Sequence, residues 1–192
     1  MSRRDALLRV PWRAWLRPLI VGLVFLALNV LVYLWLTTPT GDAFLRRLGG
    51  LAYLGAFLVM LIANATVIVP VPWPAVLIPI AERSDSLALV ILAGALGSVL
   101  GESVAFFVGR SGRRAVENTR FYRWVHRQMQ HPWRAMAVLF LLSAPPNPFF
   151  DVAGLAAGAV GLPYWMFALP VFLGRIVRVG TFVIGGVELL AR

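Results

Sequence analysis

Four ionisable side chains stand inside stretches that are otherwise apolar: Glu102, Asp151, Arg175 and Arg178. A lone charge at the centre of a bilayer costs at least ~2.5–3.5 kcal/mol. Charges kept at that depth are expected to pair with one another. Arg175 and Arg178 are three residues apart, so on a helix they share one face. Glu102 and Asp151 are the acids that could meet them. Asn147 stands just before Pro148 and Asp151 three residues after that proline. Asn caps the first free N–H groups of a helix, and Pro suits its first position because it has no N–H to satisfy. A helix starting there carries positive partial charge and unpaired N–H groups at its tip, which suits phosphate. The chemistry expected of this set is the holding and gating of an anionic headgroup by Asp151, Arg175, Arg178, Glu102 and Asn147. No covalent step is expected. Ser98 and Ser103 have no histidine near them in sequence, and the two histidines, His126 and His131, lie in a basic loop. The sequence therefore predicts no enzyme, no metal and no cofactor.

These residues need a membrane around them. The chain has 192 residues, 60% of them hydrophobic, and a mean hydropathy of +0.81, whereas soluble domains sit near 45–50% apolar. Cysteine is absent, so there is no disulfide frame. All 18 basic residues are arginine and the net charge is +10. The arginines cluster beside apolar segments, as the positive-inside rule requires, and nucleic acid is not the expected partner.

In chain order the expectation is a single membrane domain over residues 1–192. Residues 1–18 form a basic cytoplasmic segment with interfacial Trp12 and Trp15. Residues 19–36 are a first span. Thr37–Gly50 is an outer connection with an interfacial turn around Phe44–Leu48. Leu51–Ala81 is apolar but broken by Pro70, Pro72, Pro74 and Pro79, each of which removes a backbone donor and crowds the preceding turn. We read it as a re-entrant hairpin with its tip at Pro70–Pro74, followed by a full span, Leu87–Gly109. Arg110–Arg134 holds seven arginines with interleaved aromatics. It reads as an amphipathic helix on the cytoplasmic face, with Arg113, Arg114, Arg120, Arg123 and Arg127 touching anionic lipid. Ala135–Ala144 is ten residues, about 15 Å of helix, half of a hydrocarbon core roughly 30 Å thick. The chain then breaks at Pro145, Pro146 and Pro148. Either a second hairpin returns through Pro148–Val160, or Ala135–Val160 is one kinked span. Pro163–Leu190 is the last span.

The fold class expected is thus all-α integral membrane: three transmembrane helices plus two Pro-broken re-entrant hairpins, with a cytoplasmic amphipathic helix. The two halves are alike. PVPWPAV near residue 70 answers PPNPFFDVA near residue 145, and SVLGESVAFFVG (Ser98–Gly109) answers VFLGRIVRVGTF (Val171–Phe182). The halves enter the membrane from opposite sides, an inverted repeat of the kind that places a transport site near the midplane. The alignment makes Glu102 and Arg175 equivalent. Their depths agree: Glu102 lies about 12 Å in from Arg110, and Arg175 about 18 Å in from Pro163. Gly97 with Gly101, and Gly154 with Gly158, form GxxxG pairs suited to close helix packing.

SAPPNPFFDVAGLAAGAVGLPYWMF followed by LGRIVR resembles the second re-entrant segment of the DedA / SNARE-associated (VTT-domain) membrane proteins, nearest to the vacuole membrane protein branch. NATVIVPVPWPAV is similar to the first hairpin of that family, and GESVAFFVGRSGRR to its Gly-rich span. The resemblance covers roughly residues 50–185. It implies two re-entrant hairpins meeting at a pseudo-symmetric centre, and movement of phospholipid or undecaprenyl phosphate between leaflets, with Asp151 as the hairpin acid and Arg175 and Arg178 as basic positions of the following span. The chain departs from many bacterial members at the first hairpin, where Asn64, Trp73 and Pro74 stand in place of acids. A bacterial inner membrane with the N-terminus in the cytoplasm is the expected location, and a homo-oligomer stays open. Two other functions remain: a proton- or ion-coupled transporter of a small solute, and a membrane scaffold docking through Arg110–Arg134.

Overall fold

The computed structural model describes residues 23, 27–28, 30–32, 34–36, 38–49, 51–65, 71–112, 127, 131–145 and 150–190. Among them all regular structure is helical: α1 Pro39–Gly49, α2 Ala52–Ala65, α3 Trp73–Glu82, α4 Leu87–Ser111, α5 Pro132–Ser143, α6 Phe150–Ala159 and α7 Tyr164–Leu190. Only α4 and α7 are long and apolar enough to cross a bilayer among the described residues. Much of the expected first span, 19–36, lies outside the described residues, and the positions of it that are described are helical.

The breaks follow the residues that make them. Pro74 is not part of a tip but sits in the first turn of α3, where a missing N–H costs nothing. Pro79 and Pro170 lie inside α3 and α7. Ser86 caps α4, its hydroxyl accepting from the Leu89 amide. Gly161 ends α6 at φ 77°: the Gly161 amide donates to Gly158 O and the Leu162 amide to Ala157 O. That double closure satisfies orphan carbonyls and needs the left-handed conformation glycine adopts freely. Pro163 then prevents continuation. The region expected as an interfacial turn, Phe44–Leu48, belongs instead to the eleven-residue helix α1, tied to the end of α3 by an ion pair, Arg83 Nη2 to Asp42 Oδ1 at 3.0 Å. The basic segment is shorter than Arg110–Arg134: α4 runs on to Ser111 and α5 already begins at Pro132.

The packing repeats itself. α2 lies along α4, and α5 lies along α7. The shorter helices pack across: α3 on α7, and α6 on α4. α4 and α7 cross each other at the centre. Glycines permit the close approaches. A Cβ at Gly101 would strike Leu61 O and the Ala65 amide on α2, and one at the aligned Gly174 would strike Ser143 Oγ and Phe140 O on α5. The glycine that the two repeats share thus does the same job in each. Gly97 meets Phe57 O on α2, and Gly158 meets Phe106 O on α4. The buried apolar side chains fall into two main clusters. One gathers Phe106, Leu139, Phe150, Phe167 and Val171; the other gathers Met60, Trp73, Leu77, Val90, Val179 and Val183.

Candidate functional site: a buried ion pair between the two long helices

Glu102 sits midway along α4 and Arg175 midway along α7, where the two long helices cross. They form an ion pair, Arg175 Nη2 to Glu102 Oε1, with side chains only 3% and 2% exposed. Arg175 lies on its helix between Val171 of one apolar cluster and Val179 of the other, so the pair marks the junction of the two halves. Both charges are desolvated. Such a pair holds only because each charge cancels the other, and removing one partner leaves the other stranded.

The pair does not use up the polar groups around it. Ser98 Oγ, Glu102 Oε2 and Arg175 Nε are buried and make no hydrogen bond to the described residues. Ser98 is one helical turn before Glu102 on the same face of α4. A buried polar atom without a partner costs about 1–3 kcal/mol, so a site carrying several of them suits a polar ligand.

The arginines also rest on rings. The Arg175 guanidinium carbon is 4.7 Å from the centroid of Phe150, the first residue of α6. The Arg178 guanidinium carbon is 5.9 Å from the ring of Trp73, the first residue of α3. The described ionisable side chains of this centre are therefore Glu102, Arg175 and the half-buried Arg178. Asp151 is the second residue of α6, next to Phe150, so its backbone lies in the first turn of the helix that reaches the cluster; its side chain lies outside the described residues.

A polar contact also locks α7 to α4 nearer the α6–α7 turn. Ser103 Oγ donates to Val99 O at 2.8 Å and lies 2.8 Å from Tyr164 OH. A serine hydroxyl has one proton, so the tyrosine donates to the serine. Tyr164 also stacks on Phe107 at 5.6 Å and 18°.

A family profile described as VTT domain matches residues 15–188. The chain belongs to the VTT domain family. It is a membrane protein of that family. It is 25% identical over 122 residues to vacuole membrane protein KMS1 of Arabidopsis thaliana, an alignment covering 52% of this chain and 29% of the plant protein. The chain thus spans under a third of the length of that curated relative. No solved structure matches it.

Of the residues expected to work together, Glu102 and Arg175 are in contact and Arg178 is one turn further along α7. Pro72 and Pro74 flank the start of α3, and Pro145 follows the end of α5. Pro70, Pro146, Asn147 and Pro148 lie outside the described residues, as do Arg113, Arg114, Arg120 and Arg123; Arg127 is helical and exposed. Sequence reasoning overlooked Ser98 and the two rings. A signal for the rings exists: each is an aromatic that follows shortly on a proline break, Trp73 after Pro72 and Phe150 after Pro148.

Proposed function

We propose that this protein moves phospholipid or polyprenyl-phosphate lipid between membrane leaflets. The observation that carries the reading is the buried Glu102–Arg175 pair with Arg178 beside it, placed where α4 and α7 meet and where α3 and α6 pack on them. In this reading α2–α3 and α5–α6 are re-entrant hairpins entering from opposite sides. Support comes from their lengths. α2, α3, α5 and α6 have 14, 10, 12 and 10 residues, about 15–21 Å at 1.5 Å per residue, short of a core roughly 30 Å thick. With the first span, 19–36, the chain then has three full crossings, an inverted repeat, a cytoplasmic N-terminus and a cytoplasmic Arg110–Arg134 segment resting on anionic lipid. The bacterial inner membrane is the setting we infer.

The mechanism is electrostatic and breaks no covalent bond. A phosphate headgroup enters a polar path between the hairpins while its acyl chains stay in the bilayer. The first turns of α3 and α6 present backbone N–H groups and positive partial charge. Arg178 and Arg175 add full charges. Asp151 gates by competing with the phosphate for the arginines. No cofactor, metal or nucleic acid takes part.

The depth of burial of Glu102 and Arg175 favours a second reading, a proton- or ion-coupled carrier of a small anion, because a closed centre is what a solute carrier needs. One assay separates the two. Purified protein is placed in liposomes with trace fluorescent phospholipid or fluorescent polyprenyl phosphate, and an impermeant reductant bleaches the outer leaflet. Bleaching well past one half, lost in Asp151→Asn and Arg178→Ala, supports lipid movement. Bleaching that halts at one half for both lipids, with and without a pH gradient, refutes it.

A further inference from the structure

We propose that Trp73 and Phe150 are positioning residues for the central arginines: each ring holds one guanidinium in place by its face, so that the edges of the cations stay directed at anions.

The geometry is repeated between the halves. Phe150 opens α6, the returning helix of the second hairpin, and lies 4.7 Å from the Arg175 guanidinium. Trp73 opens α3, the returning helix of the first hairpin, and lies 5.9 Å from the Arg178 guanidinium. Both arginines belong to α7. One helix therefore carries two cations, and each half of the molecule contributes one aromatic to hold one of them. Both rings are buried, Phe150 to 2% and Trp73 to 6% exposure. Both are braced by another aromatic: Phe150 against Phe167 at 6.5 Å, and Trp73 edge-on against Phe182 at 5.1 Å. Neither ring is free to swing away.

A ring differs from a carboxylate as a partner. A guanidinium is flat, with its N–H donors pointing outward in its own plane. A carboxylate or phosphate takes those donors. An aromatic face attracts the cation from above and takes none of them. Arg175 has this division of labour: its Nη2 faces Glu102, its Nε makes no hydrogen bond to the described residues, and its guanidinium carbon lies over the Phe150 ring. The rings supply attraction that persists whether or not an anion is bound. Trp offers a stronger face than Phe, and it serves the more exposed arginine.

The functional consequence rests on the lipid-headgroup reading: arginines held by rings are already placed when a phosphate arrives and stay in place after it leaves. The positioning itself does not depend on that reading, and one experiment separates the two. Phe150 is replaced in the full chain by mono-, di- and trifluorinated phenylalanine, and Trp73 by the corresponding fluorinated tryptophans. Shape is nearly kept while the negative potential of the ring face falls step by step. Tm in detergent and transport of fluorescent lipid in liposomes are read for each. The expected result is a stepwise fall in Tm reaching about 2–4 °C for the most fluorinated ring, with the transport rate falling in the same order. Phe150→Tyr retains the face and stays near wild type; Phe150→Leu does not. Fluorination makes a ring more apolar, so a ring that only packs would show an unchanged or higher Tm. That result, together with a flat rate series, overturns the proposal and leaves lipid movement standing. A stepwise fall in Tm in a protein that moves no lipid keeps the positioning role and removes the transport reading.

Discussion

Separating Glu102 from Arg175 should be the most damaging polar change in the described core, and its size can be worked out. Both side chains are at most 3% exposed, so neither survivor can be rescued by water without opening the helix crossing. Breaking a buried pair by removing one partner costs about 3–5 kcal/mol. For a chain of this length each 1 kcal/mol corresponds to about 2–4 °C in Tm, so a single change should lower Tm by roughly 6–20 °C. Each single variant leaves one buried charge of the pair without its partner. The double variant, Glu102→Gln with Arg175→Gln, removes both charges and should be more stable than either single, with a coupling of at least ~2 kcal/mol. Thermal unfolding of the four proteins in one detergent gives the cycle. If the two losses add to within about 0.5 kcal/mol, the residues do not act as a pair and the reasoning fails.

The glycines give a graded expectation. Gly97→Ala drives a Cβ into Phe57 O, and Gly158→Ala drives one into Phe106 O, so each should cost about 1–3 kcal/mol or more through overpacking; Gly185→Ala meets nothing within 4 Å and should be neutral or stabilising by up to ~1 kcal/mol from helix propensity, all read as Tm. Tyr164→Phe removes the donor to Ser103 and should cost about 1 kcal/mol, with Ser103→Ala adding little to it; strict additivity would sever the link drawn between α7 and α4. Arg83→Gln should shift Tm little, by at most ~1 kcal/mol and less at high salt, because its pair with Asp42 is exposed. The chain has no cysteine, so single cysteines can be introduced cleanly. One at Asp85, beyond α3, and one at the exposed Pro163, beyond α6, should react with an impermeant maleimide from opposite sides of the membrane; labelling from the same side would refute the inverted arrangement.

Much of the centre was legible because burying a charge in apolar sequence is expensive. Glu102 and Arg175 stand out as charges with no business in lipid, and the repeat of Gly-x at 101–102 and 174–175 aligns them in the sequence itself. The proline breaks were legible for a similar reason, since a missing N–H has few tolerable places. Other features were not. The eleven residues of α1 contain Thr, Gly and two arginines and lack an apolar run, so they read as a connection. The start of α5 lies three residues before the expected Ala135, because apolar runs carry no register of their own. The rings of Trp73 and Phe150 look like ordinary apolar residues in a hydrophobic chain. The packing of α3 on α7 brings Trp73 to Arg178, and Phe150 reaches Arg175 from α6 of the same half.

The packing of α3 on α7 and of α6 on α4 is also what ties the fold to the site. Had each hairpin packed wholly on the span that follows it, α3 would end on α4 and α6 on α7, and the first turns of the returning helices would face their own halves. Instead α3 reaches α7 and α6 reaches α4. Trp73 therefore meets Arg178 across the boundary between halves, while Glu102 of one half neutralises Arg175 of the other. The Glu102–Arg175 and Trp73–Arg178 contacts therefore join the N-terminal and C-terminal halves, whereas the Phe150–Arg175 contact lies within the C-terminal half. A rearrangement that slides one repeat against the other must break the first two together, and an anion able to take over the arginines is the natural agent to offset that cost.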